Sequence, residues 1–246
     1  MLMSVPWDIL LFSGGVIWSF VTLLFVVSIP LKRNDIADIA WGPGISLASW
    51  SAWYASGQPT DATTLIVLGL ISIWATRLGY RILRKNLRKG KEDPRYARWR
   101  ESWGVWFYPR SYVQVFLLQG FLMLVLSLVA VTVIDAQADA LLLSTTIAGV
   151  VLWLIGFGFE TVGDYQLDQF LSNPLNRGRL MKYGLWRYSR HPNYFGEITM
   201  WWGLYLIAAP VGLWWLAFLS PATITILICF VSGIPLLEQQ FADHPE

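Results

Sequence analysis

Long apolar segments are the feature that most limits how this chain can fold. Five runs approach or exceed the ~20 residues that an α-helix needs to cross a bilayer. They are residues 10–31, 63–78, 113–134, 140–159 and 213–237. Two shorter runs, residues 45–55 and 194–209, are predicted to be spans lined partly by protein or by a cavity. Because 55% of the residues are hydrophobic and only 14% are charged, we predict an all-α integral membrane protein with about seven transmembrane helices.

The positions of the basic residues predict on which side of the membrane each end of the predicted spans lies. All 18 lysines and arginines lie in three segments, residues 32–33, 77–110 and 177–190. Basic residues of short loops stay on the cytoplasmic side of a membrane. Threading seven spans alternately places all three segments on one side, which predicts an outside N-terminus and a cytoplasmic C-terminus. No internal repeat or low-complexity linker divides residues 1–246, so we predict a single domain.

Basic and aromatic side chains are interleaved over residues 77–108. This pattern is typical of a helix that leaves the membrane and continues as an amphipathic stretch in the interface. Nucleic acid binding is not predicted, because the net charge is only +2 and anionic lipid already explains a basic loop beside a span. A further option is that Arg77, Arg81 and Arg84, which share one helix face, hold the phosphates of a cofactor.

Polar chemistry is concentrated directly before the second short apolar run, in the sequence GLWRYSRHPNYFGE at residues 184–197. Such a cluster is costly beside lipid unless its members are paired or bind a ligand. A polar loop that caps a helix and meets lipid headgroups would explain the arginines. It explains Asn193, Tyr194 and Glu197 poorly, so a ligand site is the favoured interpretation.

Three acids follow the fourth long apolar run at intervals of four residues and are expected to share a helix face. They are Glu160, Asp164 and Asp168. A solvated face, or pairing with basic loops, explains Asp168. For Glu160 and Asp164, which lie nearer the membrane, the same explanation and a hydrogen-bonding role towards a polar ligand both stay open. Arg179, in the following loop, is expected either to bind phosphate or to supply cytosolic positive charge.

Several enzyme fingerprints are absent from the sequence. It has no G-x-G-x-x-G after a strand, no phosphate-binding Walker loop, no G-x-S-x-G and no H-E-x-x-H. Gly156 and Gly158 lie in an apolar run and are predicted to ease helix packing. With two histidines and one cysteine, no metal site is predicted. The remaining donors and acceptors suit an amphipathic cofactor whose charged part faces the cytosol and a lipophilic substrate that enters from the bilayer.

Four motifs carry a resemblance to a known family. They are residues 184–197, GDYQ at residues 163–166, EDPRY at residues 92–96, and Asp38 followed by Trp41 and Gly42. In these motifs the chain resembles the steroid 5-alpha-reductase superfamily, most closely its uncharacterised bacterial membrane members.

The resemblance implies NADPH-dependent reduction of an activated carbon–carbon double bond in a steroid-like, polyprenoid or other lipid substrate. It also implies a bacterial inner membrane location, an active-site mouth facing the cytoplasm, and a cofactor-binding portion at about residues 140–246. The candidate cofactor-binding residues that it gives are Glu160, Asp164, Arg179, Tyr188, Arg190, His191, Asn193, Tyr194 and Glu197.

The substrate end departs from the superfamily pattern. Its steroid enzymes fix the substrate carbonyl with a Gln-Glu pair and a tyrosine from the N-terminal half, and that pair is not found here. Asp38 with Trp41 is therefore the predicted substrate end, and Tyr54 and Tyr80 are candidates for the proton donor. A polarised alkene in a lipid describes the expected substrate better than a steroid does, and the oligomeric state is left open.

Two other functions compete with the reductase. Isoprenylcysteine carboxyl methyltransferases and phospholipid methyltransferases share the R-H-P-x-Y-x-G core, here residues 190–196, and bind S-adenosylmethionine. They usually carry a Glu-Glu pair on the final helix, where this chain has Glu238 followed by Gln239, whereas Asn193 and Glu197 favour a reductase. The third option is a non-catalytic lipid-binding or scaffold protein on the same fold.

Overall fold

The computed structural model describes residues 4–138, 144–176 and 178–242, and these residues form helices and helical turns without a β-strand. Backbone contacts divide the chain into two compact units, Met1–Asp139 and Ala140–Glu246. That both belong to one functional domain stays a prediction. The α-helices of the first unit are α1 (Trp7–Leu31), α2 (Ile36–Ile39), α3 (Trp41–Ala55), α4 (Ala62–Lys89), α5 (Pro94–Trp103), α6 (Phe107–Ser111) and α7 (Leu118–Ala136). Those of the second unit are α8 (Ser144–Ser172), α9 (Pro192–Ala208), α10 (Trp214–Ile226) and α11 (Ile234–Ala242).

Among the residues that the structure describes, five helical segments are long and apolar enough to cross a membrane. They are α1, α4, the continuous segment Pro94–Ala136, α8 and the segment Trp214–Gln239. These segments coincide with the five long apolar runs, because a helix satisfies its own backbone hydrogen bonds where lipid offers none. The two shorter runs form α3 and α9, of 15 and 17 residues. A helical integral membrane protein is thus confirmed, while the count of seven spans and the orientation of the termini stay predictions.

Large apolar side chains point outward from these helices. Trp18 is 58% exposed, Leu23 and Phe121 are each 62% exposed, and Leu154 is 55% exposed. Side chains of this size would expose a costly apolar surface to water. They form the surface that contacts the lipid chains.

The short helix α3 is lined on most sides by protein in the first unit, where it packs against α1, α4 and α7. Its Ile45, Ala48 and Ala52 side chains are completely buried. Small residues allow the close packing, since a Cβ atom added to Gly42 would lie 2.8 Å from the Ala75 carbonyl oxygen. Protein therefore lines this short run, as predicted for it.

Backbone-to-backbone packing joins α8 and α9 along a line of glycines, which we call the glycine seam. A Cβ atom on Gly149 would lie 2.6 Å from the Gly203 carbonyl oxygen, and one on Gly156 would lie 2.5 Å from that of Gly196. Only glycine fits at such distances. The predicted packing role is confirmed for Gly156 and wrong for Gly158, around which a Cβ would meet nothing within 4 Å. The two glycines are about 200° apart around the helix and so face different sides.

Candidate functional site

The carboxylates of α8 lie against the first turn of α9. Glu160 and Asp164 are one helical turn apart and only 3% and 4% exposed. Asn193 donates a hydrogen bond from Nδ2 to Asp164 Oδ1 at 3.1 Å. The two helices approach closely at this point, since a Cβ atom on Gly163 would lie only 3.3 Å from the Asn193 backbone nitrogen. The structure thus buries Glu160 and Asp164 beside α9 and brings two predicted cofactor residues, 29 positions apart in sequence, into direct contact.

The loop before α9 is fastened to the same part of α8. The Leu185 backbone N–H donates to Gln166 Oε1 at 2.9 Å, and the Trp186 indole donates to the Gly163 carbonyl at 3.0 Å. The loop turns at Gly184, whose φ of +58° places it in the left-handed region that favours glycine. Sequence reasoning assigned no role to Gln166 or Trp186, although both belong to the motifs that carried the family resemblance.

The conspicuous arginine and histidine of the motif share one acid. Glu238 of α11 accepts from Arg190 Nη1 at 3.2 Å and lies 3.3 Å from His191 Nε2. The His191 ring also stacks on Tyr194, with ring centroids 5.6 Å apart and planes inclined by 21°. Because the Arg190 side chain is 82% exposed, its ion pair adds little stability. Its guanidinium is accessible to an anionic ligand.

The other candidate cofactor residues take different positions. Tyr188 is 84% exposed, and Arg179 is exposed in the basic loop. Neither side chain makes a hydrogen bond or ion pair within the part of the chain that the structure describes. Glu197 lies one turn into α9 and is partly buried. The structure therefore collects Glu160, Asp164 and Asn193 in one cluster and His191, Arg190 and Tyr194 around Glu238 in another, and leaves Tyr188 and Arg179 outside both.

In the first unit, Asp38 binds two side chains that sequence reasoning left without a role. Its Oδ2 accepts from Arg95 Nη2 at 2.9 Å, and its Oδ1 accepts from the Tyr96 hydroxyl at 2.7 Å. Burial raises the pKa of the Asp38 carboxyl above its ordinary value, while the Arg95 charge and the Tyr96 hydrogen bond act in the opposite direction. The EDPRY motif contained both partners, but nothing in its spacing connected them with Asp38.

The three aromatic candidates of the first unit do not form one cluster. Trp41 begins α3 and is half-buried, near Asp38 in sequence. Tyr54 lies at the other end of α3, where it is 61% exposed and stacks on Phe12 at 6.0 Å. The rise of an α-helix separates Tyr54 from Trp41 by about 20 Å. Tyr80 is 64% exposed on the outer face of α4.

A group of buried polar side chains fixes the position of α2 and of the Asp38 that it carries. Arg33 binds Asp35 through two hydrogen bonds, at 2.7 and 3.0 Å. The Asn34 backbone N–H donates to Glu92 Oε1 at 2.8 Å, and Arg100 donates to the same oxygen at 3.0 Å. Because Asn34 and Asp35 are each 1% exposed and their groups are paired, this network holds the turn between α1 and α2 against the turn between α4 and α5.

The chain is similar to known proteins in sequence. One curated relative is the Schizosaccharomyces pombe protein described as "Uncharacterized protein C594.04c", 27% identical over 224 residues. The match covers 80% of this chain and 64% of the length of the yeast protein. No solved structure matches. The family model described as "Protein of unknown function (DUF1295)" matches residues 24–245, which is nearly the whole chain, and the chain therefore belongs to the DUF1295 family.

Proposed function

We propose that this protein is an NADPH-dependent reductase of an activated carbon–carbon double bond in a lipophilic substrate, as the resemblance to the steroid 5-alpha-reductase superfamily implies. The observation that carries the proposal is the hydrogen bond between Asn193 and Asp164, beside the buried Glu160. Burying polar groups between two membrane helices costs free energy, and binding of a polar ligand would offset that cost. The packing of α9 against Gly163 holds this cluster on rigid helices.

The residues around that pair have the chemistry that a pyridine nucleotide requires. Because Asn193 uses its Nδ2 to donate to Asp164, its Oδ1 is oriented as an acceptor for the N–H of a carboxamide. Arg179, Arg187 and Arg190 are exposed in the adjacent basic loop, where their guanidinium groups suit phosphates. NADPH held by these residues would supply the hydride for the electron-poor carbon of the alkene, and the neighbouring carbon would take up a proton.

The chain's own residues would bind the substrate and deliver the proton. Asp38 and Trp41 stay the predicted substrate end, with Tyr80 as a candidate proton donor. Tyr54 lies about 20 Å from Trp41 along α3, which is too far for proton transfer to a substrate held there. Tyr96 is not added to the candidate donors, since its hydroxyl donates its proton to the Asp38 carboxylate. Because that proton is directed at Asp38, Tyr96 orients the carboxylate and is not placed to protonate a substrate.

The proposed membrane arrangement has seven spans, an outside N-terminus, and the basic loop before α9 in the cytoplasm of a bacterial cell, beneath the inner membrane. The distribution of lysine and arginine supports it. We expect Arg179→Cys, in a Cys229→Ser background, to react with an impermeant maleimide in inverted vesicles and not in intact spheroplasts. Gln58→Cys, which is exposed in the predicted outer loop, should show the reverse pattern. Equal labelling of both positions from one side would contradict this topology.

The direct test of the proposed reductase is binding of NADPH to the purified protein in detergent. A ligand present at about 100 times its Kd stabilises the folded state by about 2.7 kcal/mol. For a chain of this length we expect a rise in Tm of about 5–10 °C. If neither NADPH nor NADP⁺ changes Tm or tryptophan fluorescence at millimolar concentration, the reductase proposal is wrong.

One observation favours the S-adenosylmethionine-dependent methyltransferase as a second candidate. Glu238, the final-helix acid that this chain shares with those enzymes in sequence, contacts both Arg190 and His191 of the R-H-P core. A carboxylate there could bind a cationic ligand group once Arg190 moves aside. The same thermal titration distinguishes the candidates, because stabilisation by S-adenosylmethionine and none by NADPH would select the methyltransferase.

A further inference from the structure

The outer face of α4 carries a groove that shares Tyr80, but none of the candidate cofactor-binding residues, with the proposed reaction. The groove has a volume of about 350 Å³, and five side chains at helical spacing line it: Tyr80, Leu83, Arg84, Leu87 and Arg88. Residues at intervals of three and four share one helix face, so apolar and basic side chains alternate along a single stripe. We call this stripe the α4 groove.

The apolar members of the α4 groove are strongly exposed. Tyr80 is 64%, Leu83 40% and Leu87 69% exposed. Three large side chains in a row on one face form a patch that an apolar group is expected to cover. A lipid chain is available at this position, because α4 is one of the five helices long and apolar enough to cross the membrane.

The basic members are open to a ligand. Arg84 and Arg88 are exposed, and their side chains make no hydrogen bond or ion pair with the residues that the structure describes. No acid is among the five side chains that line the groove. Two guanidinium groups one turn apart therefore present positive charge directly beside the apolar patch, which complements an anionic group joined to an acyl chain.

The orientation of α4 places this charge at the membrane surface. The apolar part of the helix comes first and its last turn is basic, with Arg88 and Lys89. On the opposite side of the helix, Asn86 is buried and donates to the Asp35 carbonyl oxygen at 3.3 Å. The face of α4 that carries Asn86 therefore contacts the rest of the first unit, and the α4 groove lies on the opposite, exposed face. Its arginines lie where phospholipid headgroups meet water.

We propose that the α4 groove binds one anionic phospholipid, with the phosphate at Arg84 and Arg88 and an acyl chain along Tyr80, Leu83 and Leu87. Charge complementarity selects this occupant, since a zwitterionic lipid brings a second cation to the two arginines. The site does not involve the cofactor-binding residues of the proposed reductase, and it gives the exposed Tyr80 a role in lipid contact in place of proton donation.

The test compares phospholipid retention in detergent-purified protein by native mass spectrometry. We expect the wild-type protein to retain phosphatidylglycerol in preference to phosphatidylcholine when it is extracted from vesicles that contain both. The double variant Arg84→Gln/Arg88→Gln should retain phosphatidylglycerol at least about tenfold less, since each basic residue contributes to anionic lipid binding. Leu87→Gln should lower retention while leaving both charges in place.

A charge-matched control distinguishes lipid binding at a defined site from the general attraction of anionic lipid to a basic protein. The double variant Lys91→Gln/Arg98→Gln removes two exposed charges outside the groove and should retain phosphatidylglycerol as the wild-type protein does. An equal loss in this control, or no loss in the Arg84→Gln/Arg88→Gln variant, would overturn the proposal. Displacement of the lipid by millimolar inorganic phosphate or NADPH would overturn it as well, because the groove would then bind soluble phosphates.

Discussion

Replacing Gly156 by leucine is expected to unfold the second unit, whereas replacing Gly158 by leucine is expected to leave it folded. At Gly156 a Cβ atom alone would lie 2.5 Å from the Gly196 carbonyl oxygen and 2.6 Å from the Met200 nitrogen. Both neighbours are backbone atoms of α9, which cannot rotate away as a side chain does. Overpacking of this kind costs about 3 kcal/mol or more, so the helices must separate.

The Gly158→Leu variant makes a matched control. It adds the same side chain to the same helix, two residues away, at a position where a Cβ would meet nothing within 4 Å. Thermal unfolding in detergent and the rate of limited proteolysis measure the difference. Equal Tm values for the two variants would show that α8 and α9 do not pack at the glycine seam. Gly203→Leu, on the α9 side, should behave as Gly156→Leu does, because its Cβ would lie 2.7 Å from the Gly149 carbonyl oxygen.

The Asn193→Asp variant is expected to lose NADPH binding by at least about 100-fold. The substitution keeps the size of the side chain but replaces its Nδ2 donor, 3.1 Å from Asp164 Oδ1, by an oxygen. Two carboxylates then face each other in a largely buried position, and the acceptor that the proposed carboxamide needs is no longer held in place. Losing a buried hydrogen bond and creating a like-charge contact together account for about 3 kcal/mol. The fluorescence titration with NADPH measures the loss.

Two further variants interpret that result. Asn173→Asp adds the same negative charge at an exposed residue whose Oδ1 accepts from the Leu175 N–H at 3.0 Å, a bond that aspartate retains. It should bind NADPH as the wild-type protein does. The exchange variant Asp164→Asn/Asn193→Asp restores the hydrogen bond and should recover Tm. An unchanged Kd in Asn193→Asp would remove Asn193 from the proposed site, and a loss of stability with unchanged Kd would make the pair structural.

The helices were the most predictable part of this protein. A run of about twenty apolar residues has few alternatives in lipid, because an unpaired backbone group there costs several kcal/mol. The lining of α3 by protein was predictable as well, since a short apolar run cannot cross a bilayer unaided. The choice between Gly156 and Gly158 was not, because it depends on which side of α8 meets α9. The spacing of glycine at residues 149, 156 and 163 agrees with the side that the structure shows, but the sequence prediction did not use it.

The sequence predicted the types of residue in the candidate site better than it predicted which of these residues contact each other. The sequence left open whether Glu160 and Asp164 form a solvated face or a ligand site, and the contact of Asp164 with Asn193 depends on how the loop returns to α8. The partners of Asp38 lie 57 and 58 residues further along the chain, beyond the reach of spacing arguments. The separation of Tyr54 from Trp41 follows from the helical rise alone.

Because the loop before α9 is attached to α8, release of the loop and loss of the hydrogen bond between Asp164 and Asn193 are coupled. Gly163 and Gln166 receive the two hydrogen bonds from Trp186 and Leu185, and Asp164 lies between them on the same turn of α8. Rotation of that turn would release the loop and withdraw the carboxylate from Asn193 in a single step. We expect the loop to be attached or released without a stable halfway state, and hydrogen exchange at the Leu185 amide and the Trp186 indole should report one common opening rate.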